Sequence, residues 1–247
     1  MAGLVEHEER TRRLLRLLEE EAPPIGDRFP CPYLSRRWSR NVTILARDLP
    51  AGLYHAFMDL NFRRMGRLFY RPQCEGCAEC RMLRVAVGPF RPSRAQRRCR
   101  ARNADLSVEV GEPKAGEEKE RLYARYLAVR HDGQMDGSSA ELRDFLYSSS
   151  VSTVEVTYRF QGRLLGVGIA DVEPLAMSAV YCYFDPAEPH RSLGVFNVLT
   201  LLEECRGRCI PHLYLGYHVA GSPRMSYKTA FRPCERLETD GWRAVEP

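Results

Sequence analysis

VSTVEVTYRFQGRLLGVGIADV, residues 151–172, predicts two β-strands joined by a tight turn. Branched and aromatic side chains are frequent in both halves of this stretch, which is typical of strands, and Gly162 marks the hairpin between them. A third strand is predicted over Ala176–Phe184. This part of the chain therefore predicts an antiparallel meander.

The residues after the meander predict a helix and one more strand. Asp185-Pro186 begins a loop, and a helix from about Ser192 to Arg206 carries an apolar side. His212–Val219 then predicts a further strand. Three strands, a helix and a strand in this order predict an α+β chain whose C-terminal part has an N-acetyltransferase-like fold, an antiparallel-rich mixed sheet flanked by helices.

The start of this predicted helix is a candidate anion site. Free backbone N–H groups and the helix dipole favour a phosphate at a helix N-terminus. Arg191 adds a cationic donor there, and Ser192 is a suitable N-cap residue. The alternative is a helix with an ordinary N-cap and no bound anion.

The first half of the chain shows weaker patterns. They predict a helix over 4–21 ended by two prolines, a helix over 48–69, strands over 82–87 and 106–110, and a helix over 117–130. The acidic, glycine-containing stretch 111–118 is the best candidate for a boundary. We therefore expect a smaller Cys/Arg-rich N-terminal module, residues 1–110, and an acyltransferase-like module, residues 111–247.

Composition excludes a disordered tail or linker. The chain has 247 residues, of which 44% are hydrophobic and 28% charged, enough apolar material for a core. No run approaches the 18 apolar residues of a membrane span, and the N-terminal residues lack the apolar stretch of a signal peptide. We expect a soluble, cytoplasmic protein without a membrane partner.

Positive charge is concentrated in one segment. Residues 63–102 contain twelve arginines against only Glu75 and Glu79, although the net charge of the whole chain is +5. Such a segment favours a polyanionic partner such as RNA. A solvated basic surface is the alternative, and charge alone identifies no activity.

Four of the nine cysteines form a candidate metal site. Cys74, Cys77 and Cys80 follow one another at two-residue spacings, and Cys31 lies between two prolines. This pattern suits a loop around zinc or an iron–sulfur cluster, and the spacing does not choose between them. Ordinary thiols in a glycine-containing turn are the alternative.

Three stretches together resemble the arginyl-tRNA-protein transferase family, and within it the bacterial aspartate/glutamate leucyltransferases. They are YRPQCEGCAEC at 70–80, FRPSRAQRR at 90–98, and LYLGYHVAGSPRMSYK at 213–228. Weaker similarities bring the matching region to about residues 29–237. In combination these motifs are specific, although each alone is common.

The resemblance implies transfer of an amino acid, with leucine expected, from its tRNA to the α-amine of proteins that begin with Asp or Glu. Such transfer creates a degradation signal of the N-degron pathway and requires no acyl-CoA or other cofactor for the chemistry. Eukaryotic members bind an iron–sulfur cluster through N-terminal cysteines, which supports the candidate site. Those members have paired cysteines where this chain has Cys31 and a spaced triplet, so the cluster does not carry over directly.

An aminoacyl ester is already activated, so the site needs positioning, a cation for the acidic residue and donors for the oxyanion more than a strong nucleophile. Guanidinium groups bind phosphate in a bidentate manner, which suits the tRNA acceptor stem. The candidate tRNA-binding residues are Arg91, Arg94, Arg97, Arg98, Arg100, Arg102 and Arg191. The candidate catalytic residues are Tyr183, Asp185, Tyr214, Tyr217 and Lys228.

Among the catalytic candidates, Asp185 could accept a proton, and Tyr214 or Tyr217 could bind the oxyanion or a ribose hydroxyl. Arg71 and Arg84 are candidate ligands of the acidic N-terminal residue. His131 is a weaker titratable candidate. Three alternatives remain open: arginine as the transferred residue, an acetyl-CoA-dependent N-acetyltransferase, and an RNA-binding module without catalysis.

Overall fold

The computed structural model describes residues 2–130 and 137–246. The α-helices of these residues are Ala2–Glu21 (α1), Leu53–Asp59 (α2), Arg94–Arg102 (α3), Glu117–Arg130 (α4), Ser139–Leu142 (α5) and Leu193–Gly207 (α6). A π-helical turn covers Arg143–Tyr147, and 3-10 turns cover Pro189–Arg191 and Pro223–Ala230.

The strands of the first half are Phe29–Pro30 (β1), Trp38–Ser39 (β2), Asn41–Leu45 (β3), Arg63–Met65 (β4), Leu68–Pro72 (β5), Arg81–Ala86 (β6) and Ser107–Gly111 (β7). Those of the second half are Thr153–Phe160 (β8), Arg163–Glu173 (β9), Ala176–Phe184 (β10), His212–His218 (β11), Cys234–Glu238 (β12) and Gly241–Ala244 (β13).

An eight-stranded mixed sheet forms the centre of the molecule, in the order β13-β12-β6-β11-β10-β9-β8-β7. Strands β8, β9 and β10 form the predicted antiparallel meander, and α6 connects β10 to β11, which pairs with it in parallel. The hairpin turn has positive φ at Gln161 and Gly162, as two-residue turns between twisted strands require. The predicted α+β, N-acetyltransferase-like fold is therefore confirmed.

Helices cover both faces of this sheet. On one face α6 buries Leu199, Leu202 and Cys205 against sheet residues such as Val85 and Leu213. On the other face α4 and α5 bury leucines and Tyr123 against β9 and β10. The helix predicted over 117–130 and the strand predicted over 82–87 agree with α4 and β6.

The sheet takes strands from both sides of the predicted division at residues 110/111. Strand β6 lies between β11 and β12, and β7 pairs with β8 at the opposite edge. The two predicted modules thus share one sheet, and their separation remains a prediction. The β12–β13 hairpin was not predicted from the sequence.

A second sheet, β3-β5-β4, packs with α1 and α2 against the first. The helix predicted over 48–69 is wrong beyond Asp59, because Asn61 and Gly66 have positive φ and the chain between and after them forms β4 and β5. Arg64 joins the two sheets: its Nε donates to Asp171 Oδ2 at 2.6 Å, and both side chains are fully buried.

In the part of the chain that the structure describes, no helix is both long and apolar enough to cross a membrane.

Candidate active site

The sheet opens between β10 and β11. The two strands pair in parallel only from Ala176 to Ser178, opposite His212 to Tyr214. Beyond this point β10 continues beside β9, whereas β11 continues beside β6. A cavity of about 710 Å³ lies at this opening, within the size range of small-molecule sites.

The cavity has an apolar side and a cationic side. Val180, Phe184, Val195 and Val198 belong to the apolar lining, supplied by β10 and α6. Ser192 and Gly194 bring the N-terminus of α6 to the cavity, although Ser192 is left-handed and its side chain makes no cap hydrogen bond. The cationic side consists of Arg63, Arg224 and Lys228.

Lys228 is the one predicted catalytic residue that lines this cavity. It lies in the 3-10 turn after β11, where it is 8% exposed, and its Nζ donates to the Tyr217 carbonyl oxygen at 2.6 Å. Burial, with a smaller effect of the nearby Arg63 charge, lowers the pKa of Lys228 to about 7. A neutral amine is therefore accessible near neutral pH, which is the property of a general base.

Cys182 also lines the cavity, but its thiol is a poor nucleophile. Burial raises the pKa of Cys182 to about 12, so the sulfur stays protonated at neutral pH. Cys182 therefore does not supply a reactive thiolate at neutral pH.

Tyr214 belongs to a buried hydrogen-bond network that packs against α1 and α2 and does not line the cavity. Its hydroxyl donates to Asp59 Oδ1 at 2.5 Å and lies 3.0 Å from His55 Nε2. His7 of α1 stacks on His55 with ring centroids 3.6 Å apart, and its Nε2 is 2.8 Å from Asp59. Sequence reasoning missed this histidine–aspartate cluster, because only His55 and Asp59 have a helical i, i+4 spacing and His7 lies far from them in the sequence.

The remaining catalytic candidates lie outside the cavity lining. The Tyr217 hydroxyl donates to the carbonyl oxygens of Asn61 and Tyr70, and the Tyr183 hydroxyl is 3.0 Å from that of Tyr147. The Asp185 carboxylate accepts from Arg163 Nη1 at 3.3 Å and from the backbone N–H of Ala187. Their catalytic roles remain predictions.

Helix α3 carries five of the seven predicted tRNA-binding arginines and contacts Ser192, which lines the cavity. Ser93 and Gln96 form a reciprocal capping box at its start. On its buried side, Cys99 Sγ and Asn103 Nδ2 donate to the Arg191 carbonyl oxygen, at the start of α6. The exposed arginines of this segment are Arg91, Arg94, Arg97, Arg98 and Arg102, while Arg100 is half-buried and pairs with Glu203.

Three other predicted cationic residues already interact with other residues of the protein. Arg191 is buried between Asp105, at 2.8 Å, and Glu188, at 3.1 Å. Arg84 pairs with Glu235 at 2.7 Å and lies over the Trp242 ring. Arg71 donates to the Leu60 carbonyl oxygen and stacks on Phe62.

None of the three lines the cavity, so their binding to phosphate or to an acidic residue stays a prediction. Arg63 was not among the predicted site residues, although it begins the basic segment 63–102. His131 lies outside the described residues.

The four candidate metal-ligating cysteines are near one another. Burial, followed by the proximity of Cys31, Cys74 and Cys77, raises the pKa of Cys80 to about 12. Among the residues that the structure describes, no three of these sulfurs come within 4.8 Å of one another. A tetrahedral zinc site would place its sulfurs about 3.8 Å apart. The described sulfurs therefore do not have the mutual spacing of a metal-bound zinc site.

Comparison with known proteins identifies the family. The sequence models described as "Arginine-tRNA-protein transferase, N terminus" and "Arginine-tRNA-protein transferase, C terminus" match residues 29–98 and 118–238. An aspartate/glutamate leucyltransferase of Parvibaculum lavamentivorans is 40% identical over 219 residues, covering 87% of this chain and 91% of the relative. One of Halorhodospira halophila is 41% identical over 222 residues, covering 87% and 94%.

Among solved structures, the C-terminal domain of a putative lysylphosphatidylglycerol synthetase from Agrobacterium fabrum is similar, with 17% identity, a TM-score of 0.47, and coverage of 72% of this chain and 55% of that one. The sequence matches extend over both halves of the shared sheet and include Arg94, Arg97, Arg98 and Lys228. The chain thus belongs to the arginine-tRNA-protein transferase family, with aspartate/glutamate leucyltransferases among its relatives.

Proposed function

We propose that this protein transfers leucine from leucyl-tRNA to the N-terminal α-amine of proteins that begin with Asp or Glu. Family membership supports this reaction, and the observation that carries it here is the position of Lys228 in a cavity with one apolar and one cationic side. The apolar side suits a leucyl side chain, and the cationic side suits an acidic residue. The reactants place this activity in the cytoplasm, where charged tRNA is made.

Lys228 serves as the general base in the proposed reaction. The α-amine attacks the ester carbonyl carbon, so a C–N bond forms while the C–O bond to the tRNA ribose breaks. The nitrogen loses a proton to Lys228 Nζ, and the resulting ammonium gives this proton to the departing ribose oxygen. A base with a pKa of about 7 suits both transfers near neutral pH. Binding and positioning supply the rest, because the ester is already activated.

The acceptor end of the tRNA approaches along α3 in this proposal. The exposed arginines of α3 would bind its phosphates, and the contacts of Cys99 and Asn103 with Arg191 fix α3 beside the cavity. The 3′ aminoacyl ester then reaches Lys228 past the N-terminus of α6. Phosphate contacts of this kind make affinity depend on salt.

The decisive experiment offers purified protein one donor at a time: leucyl-tRNA, arginyl-tRNA or acetyl-CoA. Acceptor peptides differ only in their first residue, which is Asp, Glu or Ala. Mass spectrometry should show the addition of leucine to the Asp and Glu peptides alone. Addition of arginine would change the donor and keep the mechanism, whereas acetylation, or no transfer from any donor, would overturn the proposal.

We also propose that Cys31, Cys74, Cys77 and Cys80 hold a metal group with a structural role. Four thiols are the donor set of zinc and iron–sulfur sites, and both groups fit the proposal. Anaerobic reconstitution with iron and sulfide should give a charge-transfer absorbance that a Cys77→Ser, Cys80→Ser variant lacks. A spectrum unchanged by reconstitution, without zinc in the purified protein, would contradict this site.

A further inference from the structure

Arg63 occupies the opening of the sheet. Its Nη2 donates to the carbonyl oxygen of Val180 at 2.9 Å and, more weakly, to that of Ala179 at 3.5 Å. These carbonyls belong to β10 just beyond Ser178, where its pairing with β11 ends. The guanidinium is thereby anchored to the wall of the cavity that it lines.

Gly216 of β11 provides the space for this guanidinium. The register of β11 against β6 shifts between Tyr214 and Gly216, and Gly216 has a φ of +73°. A Cβ at this position would lie 2.7 Å from Arg63 Cζ and 2.9 Å from its Nε. The local irregularity of β11 therefore leaves room for the cation of β4.

Arg63 lacks the counter-ion that the neighbouring arginine has. Arg64 forms a buried ion pair with Asp171, whereas among the described residues no carboxylate lies within 4.0 Å of the Arg63 guanidinium. The other cations that line the cavity are Arg224 and Lys228. A fixed guanidinium with N–H groups to spare, in a cavity whose described lining residues include no acid, is suited to an anionic ligand.

Resting on the proposed function, we propose that Arg63 binds the side-chain carboxylate of the acceptor's N-terminal Asp or Glu and so determines acceptor specificity. Its two carbonyl contacts hold one edge of the guanidinium, and the carboxylate takes N–H groups that remain. An acceptor bound here places its α-amine in the same cavity as Lys228. Asn and Gln have similar shapes but lack the charge, so they bind more weakly.

The test combines a change in the protein with a change in the peptide. Single-turnover rates are measured for wild type and Arg63→Gln with peptides that begin with Asp, Asn, Glu or Gln. Arg63→Gln should slow transfer to the Asp and Glu peptides by roughly 10- to 100-fold, as for loss of a charged hydrogen bond. The Asn and Gln peptides should change by less than about threefold, because coupling exists only with the acid.

Two further variants make the result interpretable. Arg67→Gln changes an exposed arginine nearby and serves as the matched control, with wild-type rates expected for all peptides. Arg63→Lys keeps the positive charge without the planar fork, so it should retain part of the preference for acids. Because Lys keeps a positive charge in the site, Arg63→Lys still tests the inference if Arg63→Gln fails to fold.

The outcomes separate this inference from the proposed function. Wild type that transfers nothing to Asp or Glu peptides contradicts the proposed function itself. Wild type that transfers normally, with Arg63→Gln slowing acidic and amide peptides equally, overturns the inference and leaves Arg63 as a structural contact of β10. The affinity for leucyl-tRNA should be the same in wild type and variant, which shows that only acceptor recognition has changed.

Discussion

At the scale of single residues, two neighbouring cations of the cavity have different tasks. Lys228 loses its charge readily because burial and the proximity of Arg63 both disfavour the ammonium. Arginine stays protonated under all relevant conditions. A permanent charge beside a titratable amine suits a site that binds a carboxylate and accepts a proton in the same reaction.

Lys228→Met removes the amine that accepts the proton in the proposed reaction. It should lower kcat by about 10²- to 10⁴-fold, the usual contribution of a general base, and leave the affinity for leucyl-tRNA unchanged. In wild type, kcat should rise with pH through about 7 as Lys228 loses its proton. Stopped-flow or quench measurements from about pH 6 to 9 check both statements.

Two control variants accompany that measurement. Lys228→Arg can still donate to the Tyr217 carbonyl oxygen but cannot accept a proton, so it should be as slow as Lys228→Met. Lys114→Met changes an exposed lysine and should behave as wild type. A fully active Lys228→Arg variant would exclude Lys228 as the base.

Two histidines, His55 and His212, should make the stability of the protein depend on pH. Burial lowers the pKa of His55 to about 3 and that of His212 to about 4, from an ordinary value of 6.5. Between the lowered pKa values and 6.5, these histidines bind protons in the unfolded chain but not in the folded one. The free energy of unfolding therefore rises with pH in this range. This stabilisation is complete above pH 6.5 and is lost as the pH falls toward 4.

Urea unfolding at about pH 5 and about pH 7.5 measures the effect. Wild type should be more stable at the higher pH, and His212→Gln should reduce the difference between the two conditions. An unchanged difference in this variant would show that His212 is protonated in the folded protein.

At the scale of elements, α3 is a basic surface on a fixed support. Three of its exposed residues, Arg94, Arg97 and Arg98, make no ion pair with an acid among the residues described. The helix packs against α6 through its buried side, so its arginines are displayed next to the cavity. Their charges are available to phosphates.

Replacing Arg94, Arg97 and Arg98 by Gln should weaken leucyl-tRNA binding and reduce the slope of log affinity against log salt by about 2 to 3. Filter binding at several salt concentrations measures this slope. The matched control replaces Arg12, Arg13 and Arg16, three exposed arginines of α1. If both triple variants lose affinity alike, α3 has no special part in binding tRNA.

The elements also show what sequence reasoning can predict. The β8–β10 meander and α6 were predicted because each has a clear apolar pattern and Gly162 marks the hairpin. The helix predicted over 48–69 failed because turns at Asn61 and Gly66 interrupt an apolar spacing that fits a helix. Short strands such as β4 carry too few residues for a periodic signal.

The candidate site also contains one residue that the sequence predicts and one that it does not. Lys228 could be predicted because it lies in a recognisable motif, and the structure places it in the cavity. The position of Arg63 depends on where β10 and β11 separate and on the space above Gly216. Both are tertiary properties, and no spacing in the sequence expresses them.

At the scale of the whole molecule, Arg64 and Asp171 connect the small sheet to the large one. The pair is inaccessible to solvent, and Thr153 donates a further hydrogen bond to Asp171 at 2.8 Å. Removing one partner leaves an uncompensated buried charge, which costs far more than the pair contributes relative to apolar side chains.

Arg64→Met should therefore lower the free energy of unfolding by about 3 to 5 kcal/mol. The double variant Arg64→Met, Asp171→Leu should recover much of that loss, since no charge is then left buried. Chemical denaturation measures both, with Arg67→Met as the exposed control. A double variant no more stable than the single one would show that the ion pair itself supplies the stability.

The place of β6 in the large sheet has a consequence for protein synthesis. Both of its neighbours, β11 and β12, come more than a hundred residues later in the chain. A ribosome making this protein thus releases residues 81–86 long before either partner strand exists, while β8, β9 and β10 can pair as soon as they emerge. The pairing of β6 with β11 and β12 therefore forms late in translation. Until then, chaperones meet a chain whose β6 strand has no partner.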